Sequence, residues 1–296
     1  MTTSPLVSVV IPTYNHAHFL RSSLGSVVNQ TFGDWEVVVV NNYSTDDTES
    51  VVQSFNDERI TLVNFLNHGV IAAGRNEGIR LSRGEFVAFL DSDDEWQPEK
   101  LEKCIHALRA GADLVCHAER WVGGDRPERV VQYGPAEKSS WRGLLLDQNR
   151  VSTSATVVRR SCLERAGLFD ESAEFITAED YEMWMKLARL GCTFQFLPDV
   201  LGEYRRHEGN ASGSILRHLA AEQAVVQKHL ALDDTISRWQ RRARLAKCLY
   251  TAGRGFQASG KRLKAASMLA RAAVGNPLHL RTYAALGLLL VPGRHS

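Results

Sequence analysis

Apolar residues in the first 110 positions fall into short β-branched runs separated by stretches of helical spacing. Val7-Ser-Val-Val-Ile11 is such a run and is expected to stop at Pro12; beyond it, apolar residues at Leu20, Leu24, Val27 and Val28 predict a helix capped by Asn15. Trp35 to Val40 is a continuous apolar run, the kind buried on both faces of a parallel sheet, and Ser44-Thr-Asp-Asp47 opens a helix through Val51, Val52 and Phe55. Ile60 to Phe65 predicts a third strand, Val70 to Leu81 a third helix, and Phe86 to Leu90 a fourth strand ending in a cluster of acids. This alternation predicts an α/β fold built on a doubly wound parallel sheet, whose ligands bind at the carboxyl ends of its strands. The polar motifs fall at those ends.

The second half is less regular. Asp113 to His117 and Thr153 to Val158 read as strands, Trp141 to Leu146 as a short helix, and Glu179 to Leu190 as an amphipathic helix with Met183, Leu187 and Leu190 on one face. Gly123 to Ser140, rich in Gly, Pro and charge, predicts a loop or hairpin excursion. From Ile215 the pattern is helical, punctuated by Gly253, Gly260 and Asn276-Pro277. Gly253, Phe256, Gly260, Ala265, Leu269, Ala272 and Pro277 stand at the offsets of one tetratricopeptide repeat, a weak match. A lone unit of that kind cannot bury its own face and must dock on the rest of the chain, a second subunit or a membrane surface. The expected division is a catalytic domain over 1–214 and a helical C-terminal extension over 215–296.

Composition narrows the class. With 296 residues, 44% hydrophobic and 23% charged, the chain is neither disordered, collagenous nor a disulfide scaffold. A net charge of +1 hides an asymmetry: residues 1–214 hold 21 Lys and Arg against 31 Asp and Glu (−10), residues 215–296 hold 14 against 3 (+11). Between Thr235 and Ser296 there are 12 basic residues and no acid, which favours an anionic neighbour. No recognisable nucleic-acid fold accompanies the charge, so anionic lipid headgroups rank above nucleic acid, which is not expected as a partner. The five cysteines, Cys104, Cys116, Cys162, Cys192 and Cys248, are scattered with no C-x-x-C and predict reduced thiols, neither bridges nor a zinc site. No basic residue precedes Arg21, and the apolar stretch Tyr283 to Val291 is nine residues long, well short of the roughly 20 that span a bilayer. The expected location is the cytoplasm, with the inner face of the cytoplasmic membrane as the surface the tail would meet.

Asp91-Ser-Asp-Asp94 is the sharpest local feature. Carboxylates crowded at a strand end repel one another unless a cation joins them, and Mg²⁺ and Mn²⁺ take oxygen ligands and bridge to phosphates; a solvated acidic turn before the helix near Pro98 explains the four residues equally well. Val7-Ser-Val-Val-Ile-Pro-Thr-Tyr-Asn15, Ser44-Thr-Asp-Asp-Thr48, Gly74-Arg-Asn-Glu-Gly78, Gly84 to Asp94 and Glu179-Asp180 occur in the order and approximate spacing of family 2 glycosyltransferases. Over residues 6 to about 210 the chain resembles that family, which implies the GT-A nucleotide-sugar-binding (Rossmann-like) fold and inverting transfer from a nucleotide-diphosphate sugar with Mn²⁺ or Mg²⁺.

Carried over by that resemblance, Pro12, Thr13, Tyr14, Asn15, Asn42, Arg75 and Ser92 are expected to bind the donor, and Asp91, Asp93 and His207 the metal. Arg205 and Arg206 in Tyr204-Arg-Arg-His-Glu208 would neutralise phosphate charge, although an exposed basic turn is an equally simple reading. Asp180 would be the general base and Glu179 its neighbour on the acceptor side; acids in a first helical turn also complement the helix dipole without any catalytic role. Trp96 and Trp184 fit core or pocket walls better than sugar stacking. The chain departs from the family where an acidic pair and Gly give way to Asn41-Asn42-Tyr43. An Asn at 42 can accept from a uracil N–H or donate to a guanine or cytosine acceptor, so a UDP-sugar is the leading donor and not the sole one. The acceptor class is a glycan or lipid-linked hydroxyl in bacterial surface polysaccharide assembly, and a homo-oligomer is open. A non-catalytic nucleotide-sugar or glycan-binding module is the competing reading, disfavoured by the intact acids. A nicotinamide-binding dehydrogenase fails for want of G-x-G-x-x-G after the first strand.

Overall fold

The computed structural model describes residues 4–124, 127–207 and 214–290; Glu208, Val291 and residues 125–126 of the expected excursion lie outside them. Four strands, β1 (Val7–Thr13), β2 (Trp35–Asn41), β3 (Ile60–Asn64) and β4 (Phe86–Phe89), pair in parallel in the order β3-β2-β1-β4. The helices between them are α1 (Ala17–Val28), α2 (Thr48–Gln53) and α3 (Ile71–Leu81). This is the predicted doubly wound unit. Strand β1 does not stop at Pro12, which sits in register with Val40 at the edge of the ladder. Nor does Asn15 cap α1: its Oδ1 accepts from the Thr45 N–H at 2.7 Å, and Asp46 Oδ2 accepts from the Ala17 N–H at 2.9 Å instead. The loop after β2 therefore caps the helix after β1, tying together the two loops that border the site.

The sheet then becomes mixed. After the short β5 (Glu95–Trp96) and α4 (Lys100–Arg109) come β6 (Leu114–Val122), β7 (Arg129–Val131), α5 (Trp141–Leu146), β8 (Thr156–Arg159), α6 (Arg160–Arg165), α7 (Glu179–Arg189) and β9 (Phe194–Arg205). Strand β8 runs antiparallel to both β4 and β6, β9 runs parallel to β6, β5 closes the far edge on β9, and β7 forms the expected hairpin with β6. Strand β9 was not predicted, because Pro198, Asp199 and Gly202 break its pattern. They are accommodated where the β6–β9 register slips, from His117↔Leu197 to Ala118↔Val200 and then Glu119↔Gly202. A bulge is where a strand tolerates such residues.

Alternation along the strands builds one core on each face. Val7, Val9 and Ile11 join Val37, Val39, Ala88 and Leu90 beneath α1, α2 and α4, while Val10, Val87, Phe89, Leu114 and Val158 face α3, α5, α6 and α7. A side chain on Gly78 would collide with Val10, so only glycine lets α3 lie this close to β1, one turn beyond Arg75.

The second core continues into α8 (Ile215–Leu230) and α9 (Arg238–Ala258) through Leu219, Val225, Val226, Leu230, Cys248 and Ala252. Buried charges fasten the same junction: Arg244 donates to Leu145 O (2.7 Å) and Glu222 Oε1 (2.8 Å), and Lys228 pairs with Glu182 and Asp170 (2.5 and 2.8 Å). Helices α10 (Arg262–Gly275) and α11 (Leu280–Leu290) complete the tail. Gly253 lets α9 and α10 cross, since a Cβ there would lie 2.8 Å from Leu269, and Gly260 makes the intervening turn at φ +70°. Among the described residues no helix is long and apolar enough to cross a membrane.

Candidate active site

The acidic loop follows β4 directly. Asp91 N–H donates to Ser154 Oγ (3.1 Å) and Asp94 N–H to Asp91 O (3.1 Å), which closes a tight turn. Its three acids differ. Asp94 is buried, takes the Arg205 N–H on Oδ1 (2.9 Å), and leaves Oδ2 buried without a partner. Burial, then the charges of Asp93, Glu119 and Asp91, hold its carboxyl well above the usual range. Asp93 Oδ2 lies 2.8 Å from His207 Nε2, and Ser92 Oγ 2.8 Å from His16 Nδ1. The rings of His16 and Phe19 pack against His207 at 5.9 and 4.7 Å.

Arg75 joins the loop to the other half of the cleft. Its guanidinium, 3% exposed, donates to Asp91 Oδ1 (2.8 Å) and to Glu179 Oε1 (2.7 Å), while its Nε has no partner. Glu179 Oε2 takes the Thr177 N–H (2.8 Å), so both of its oxygens are engaged within the protein. The neighbouring Asp180 is half-buried at the start of α7. Its Oδ1 takes the Tyr181 N–H (2.6 Å) and its Oδ2 the Thr153 hydroxyl (3.2 Å). Burial, then the Glu179 charge, pushes its carboxyl up to about 6, with Arg75 opposing the rise.

At the carboxyl end of β1, Pro12 and Thr13 close the strand, with Thr13 Oγ1 buried and unpartnered. Tyr14 and Tyr43 are exposed at the ends of β1 and β2. Asn42 Oδ1 accepts from the Asn67 N–H (2.9 Å), which leaves its amide NH₂ as the group able to meet a ligand. Asn41 is structural: its amide spans from Asn64 Oδ1 (2.7 Å) to Ser44 Oγ (2.6 Å). Asn15 holds the Thr45 loop through its Oδ1. Arg205 pairs with Glu95 at the cleft edge. Arg206 donates to the carbonyls of Val122 (3.3 Å) and Pro127 (3.2 Å). Trp184 is fully buried in the core, and Trp96 donates to Ser154 O (2.7 Å) under the Lys100 ammonium. A cavity of about 280 Å³ lies elsewhere, between α5 and α9–α11, lined by Trp239, Lys247 and His279.

A divalent cation suits the loop. Asp93 Oδ2 and His207 Nε2 stand 2.8 Å apart, close to the roughly 3 Å between adjacent ligands of one hard octahedral ion, and Asp94 Oδ2 in the same turn is buried without a hydrogen-bond partner. Sequence reasoning missed Thr153, Ser154 and His16, which position Asp180, Asp91 and Ser92. Their loops carry no periodicity and reach the site only through the β8 pairing and the capping of α1.

A mixed sheet whose first half is parallel, with an acidic turn after β4 and a half-buried acid at the start of α7, is the architecture of a glycosyltransferase of the GT-A fold. The sequence profile of glycosyl transferase family 2 matches residues 8–169, and the chain belongs to that family. It is 26% identical over 222 residues (75% of this chain, 86% of the relative) to the Escherichia coli UDP-Glc:alpha-D-GlcNAc-diphosphoundecaprenol beta-1,3-glucosyltransferase WfaP. It is 28% identical over 203 residues (68% and 79%) to the putative teichuronic acid biosynthesis glycosyltransferase TuaG of Bacillus subtilis. Among solved structures, Staphylococcus aureus TarS 1-349 in complex with UDP-GlcNAc superposes with a TM-score of 0.65 at 22% identity, covering 95% of this chain and 83% of that one. The Pyrobaculum calidifontis mannosyltransferase PcManGT with GDP-Man and Mn²⁺ gives 0.63 at 22%, covering 97% and 81%.

Proposed function

We propose that the chain transfers one sugar, with inversion, from a nucleotide-diphosphate sugar to a hydroxyl of a glycan or lipid-linked acceptor in bacterial surface polysaccharide assembly. The observation that carries this reading is Arg75, one buried cation shared between the acid of the strand-end loop and the acid that opens α7. It holds Asp91 and Glu179 on one guanidinium and so keeps Asp180, the next residue, beside the acidic loop, as a base acting at the donor's anomeric carbon requires. Names of relatives support the class: WfaP uses UDP-Glc and a diphosphoundecaprenol-linked acceptor, and TarS binds UDP-GlcNAc.

Asp91, Asp93 and His207 would hold Mn²⁺ or Mg²⁺, whose positive charge stabilises the diphosphate as it leaves. Pro12, Thr13, Tyr14 and Asn42 border the base, and the free Asn42 NH₂ is matched to a carbonyl oxygen, which uracil, cytosine and guanine all offer; the UDP-sugars in the names of WfaP and TarS keep uridine as the leading base. Ser92 and Arg205 lie at the diphosphate end. Asp180 accepts the proton of the acceptor hydroxyl at its carboxylate, and the hydroxyl oxygen attacks the anomeric carbon from the face opposite the leaving group. From an α-linked donor the product is β. Thr153 and the Tyr181 N–H hold that carboxylate in place.

A thermal-shift screen of nucleoside diphosphates with and without Mn²⁺, followed by donor hydrolysis with a panel of nucleotide sugars, tests the reading. The expected result is a metal-dependent rise in Tm with UDP and release of sugar from a UDP donor. Binding without any hydrolysis or transfer would favour the non-catalytic module, and no shift with any nucleotide would sink both.

The tail would place the enzyme at its acceptor. Leu263, Val274, Leu278, Leu280 and Leu290 are exposed by 69 to 89% on or beside helices that also expose Lys261, Lys264, Arg271 and Arg281. Cosedimentation with anionic vesicles is expected at low salt and should fall steeply as salt rises, each basic residue contributing about 1 kcal/mol that screening removes. Lys261→Glu combined with Lys264→Glu should weaken it. Equal binding to neutral and anionic vesicles would overturn the charge argument and leave docking on a second subunit as the tail's role.

A further inference from the structure

Strand register assembles a second cluster at the sheet edge opposite the acidic loop. Leu114 of β6 pairs with Phe194 of β9 and with Val158 of β8. One step earlier, Asp113 N–H donates to Thr193 O (2.9 Å) and Arg159 N–H to Asp113 O (2.8 Å). Cys192 immediately precedes Thr193, and Cys162 on α6 follows Arg159 by one helical turn. The two Sγ atoms and an Asp113 carboxylate oxygen consequently lie within 4.8 Å of one another, the only such trio of metal-ligating side chains among the described residues.

The geometry points to a structural binding site for a thiophilic divalent cation, zinc above all, held by the thiolates of Cys162 and Cys192 and the carboxylate of Asp113. Zinc takes sulfur and oxygen ligands together in a four-coordinate shell, of which the protein supplies three here. The carboxylate is already oriented: Asp113 Oδ2 accepts from the Thr193 N–H (2.9 Å) and the Thr193 hydroxyl (3.1 Å), the outer bonds that aim a ligating acid. Two thiolates, one carboxylate and a dication would carry a single negative charge, beside which stands Arg159, with its Nε 3.7 Å from Asp113 Oδ1 and its Nη1 paired with Glu85 at 2.5 Å. In the absence of a cation the thiols hold their protons. Burial pushes Cys162 up, and burial, then Cys162 and Asp113, pushes Cys192 up to about 12. Binding would replace the two thiol protons by the ion and release them to solvent.

The site would pin the start of β6, the helix α6 and the far end of α7, whose opening turn presents Asp180. Isolated thiols were expected from the sequence because Cys162 and Cys192 stand 30 residues apart outside any C-x-x-C pattern, and only the β8–β6–β9 register makes them neighbours.

The test uses the full chain, reduced with a phosphine, stripped of metal and titrated with Co²⁺ alone. One equivalent should bring up a thiolate-to-cobalt charge-transfer band, raise Tm, and be displaced by Zn²⁺. Cys192→Ser, at a half-buried position that tolerates the change, should weaken cobalt binding at least about tenfold and diminish the band, with Asp113→Asn weakening it too. Asp93→Asn should leave the band intact, because the acidic loop offers only oxygen and nitrogen ligands. Cobalt bound without a thiolate band, or a band undiminished in Cys192→Ser, overturns the site. So does protein purified without reductant whose Cys162 and Cys192 are joined as a disulfide and which takes up no metal after reduction. Each of these failures leaves the donor-site reading standing.

Discussion

Asp180→Asn is expected to lower turnover by about 10²-fold or more, the size of general-base catalysis, while the donor dissociation constant barely moves. The substitution keeps the side chain's shape and an oxygen for the Tyr181 N–H, so the fold should persist and the loss would report the missing proton acceptor. The acid–base behaviour of the native protein sharpens this expectation. With the Asp180 carboxyl pushed up to about 6, turnover should rise as pH increases through about 6 and level off above it, because the base acts when deprotonated. That limb should vanish in Asp180→Asn. Glu179→Gln is the control. Glu179 is paired with the buried Arg75 and takes the Thr177 N–H, which is a positioning role, so its loss should cost less turnover. A fully active Asp180→Asn beside a dead Glu179→Gln would move the base back by one residue.

Asp93→Ala should abolish transfer together with the metal-dependent part of donor binding, and its apo protein should melt no lower than the native one. Crowded acids repel, so removing one relieves the loop of unfavourable charge even as it removes the contact with His207. The two variants therefore fail differently. Asp93→Ala loses the donor, whereas Asp180→Asn binds it and leaves it unreacted. Isothermal titration of UDP with and without Mn²⁺, set beside rates for both proteins, separates these outcomes. Full activity of Asp93→Ala in excess chelator would end the case for the metal.

What the sequence could reveal followed the range of its signals. Strands β1 to β4 are short, mostly apolar runs separated by stretches of helical spacing, so period and order suffice to read them. The acids at 91, 93, 179 and 180 were legible because their motifs are local. Arg75 was legible as a site residue, but its dual attachment was not, because Asp91 and Glu179 lie 16 and 104 residues away. Arg205 and Arg206 are hard to tell apart for a related reason. Two adjacent arginines look alike in a sequence, and only the end of β9 decides that one turns to Glu95 and the other to the carbonyls of the β6–β7 hairpin. Asn15 looked like a cap because a polar residue preceded a helix, yet the acid that does the capping arrives from the next loop.

The slipped register of β9 also governs how the chain tolerates changes of length. Paired positions differ by 80 at His117↔Leu197 and by 83 from Glu119↔Gly202 onward, so the strand has taken in three extra residues, an odd number. In a pleated strand an odd count exchanges the two faces. Removing one residue between Leu197 and Gly202 would leave the composition almost untouched and still turn Arg205 toward the side Arg206 now occupies, withdrawing its side chain from Glu95. A change of length in the hairpin between β6 and β7 leaves both registers as they are. Descendants of this chain are thus free to lengthen that hairpin, while the segment from Leu197 to Gly202 is held to a fixed residue count more strictly than to any residue identity.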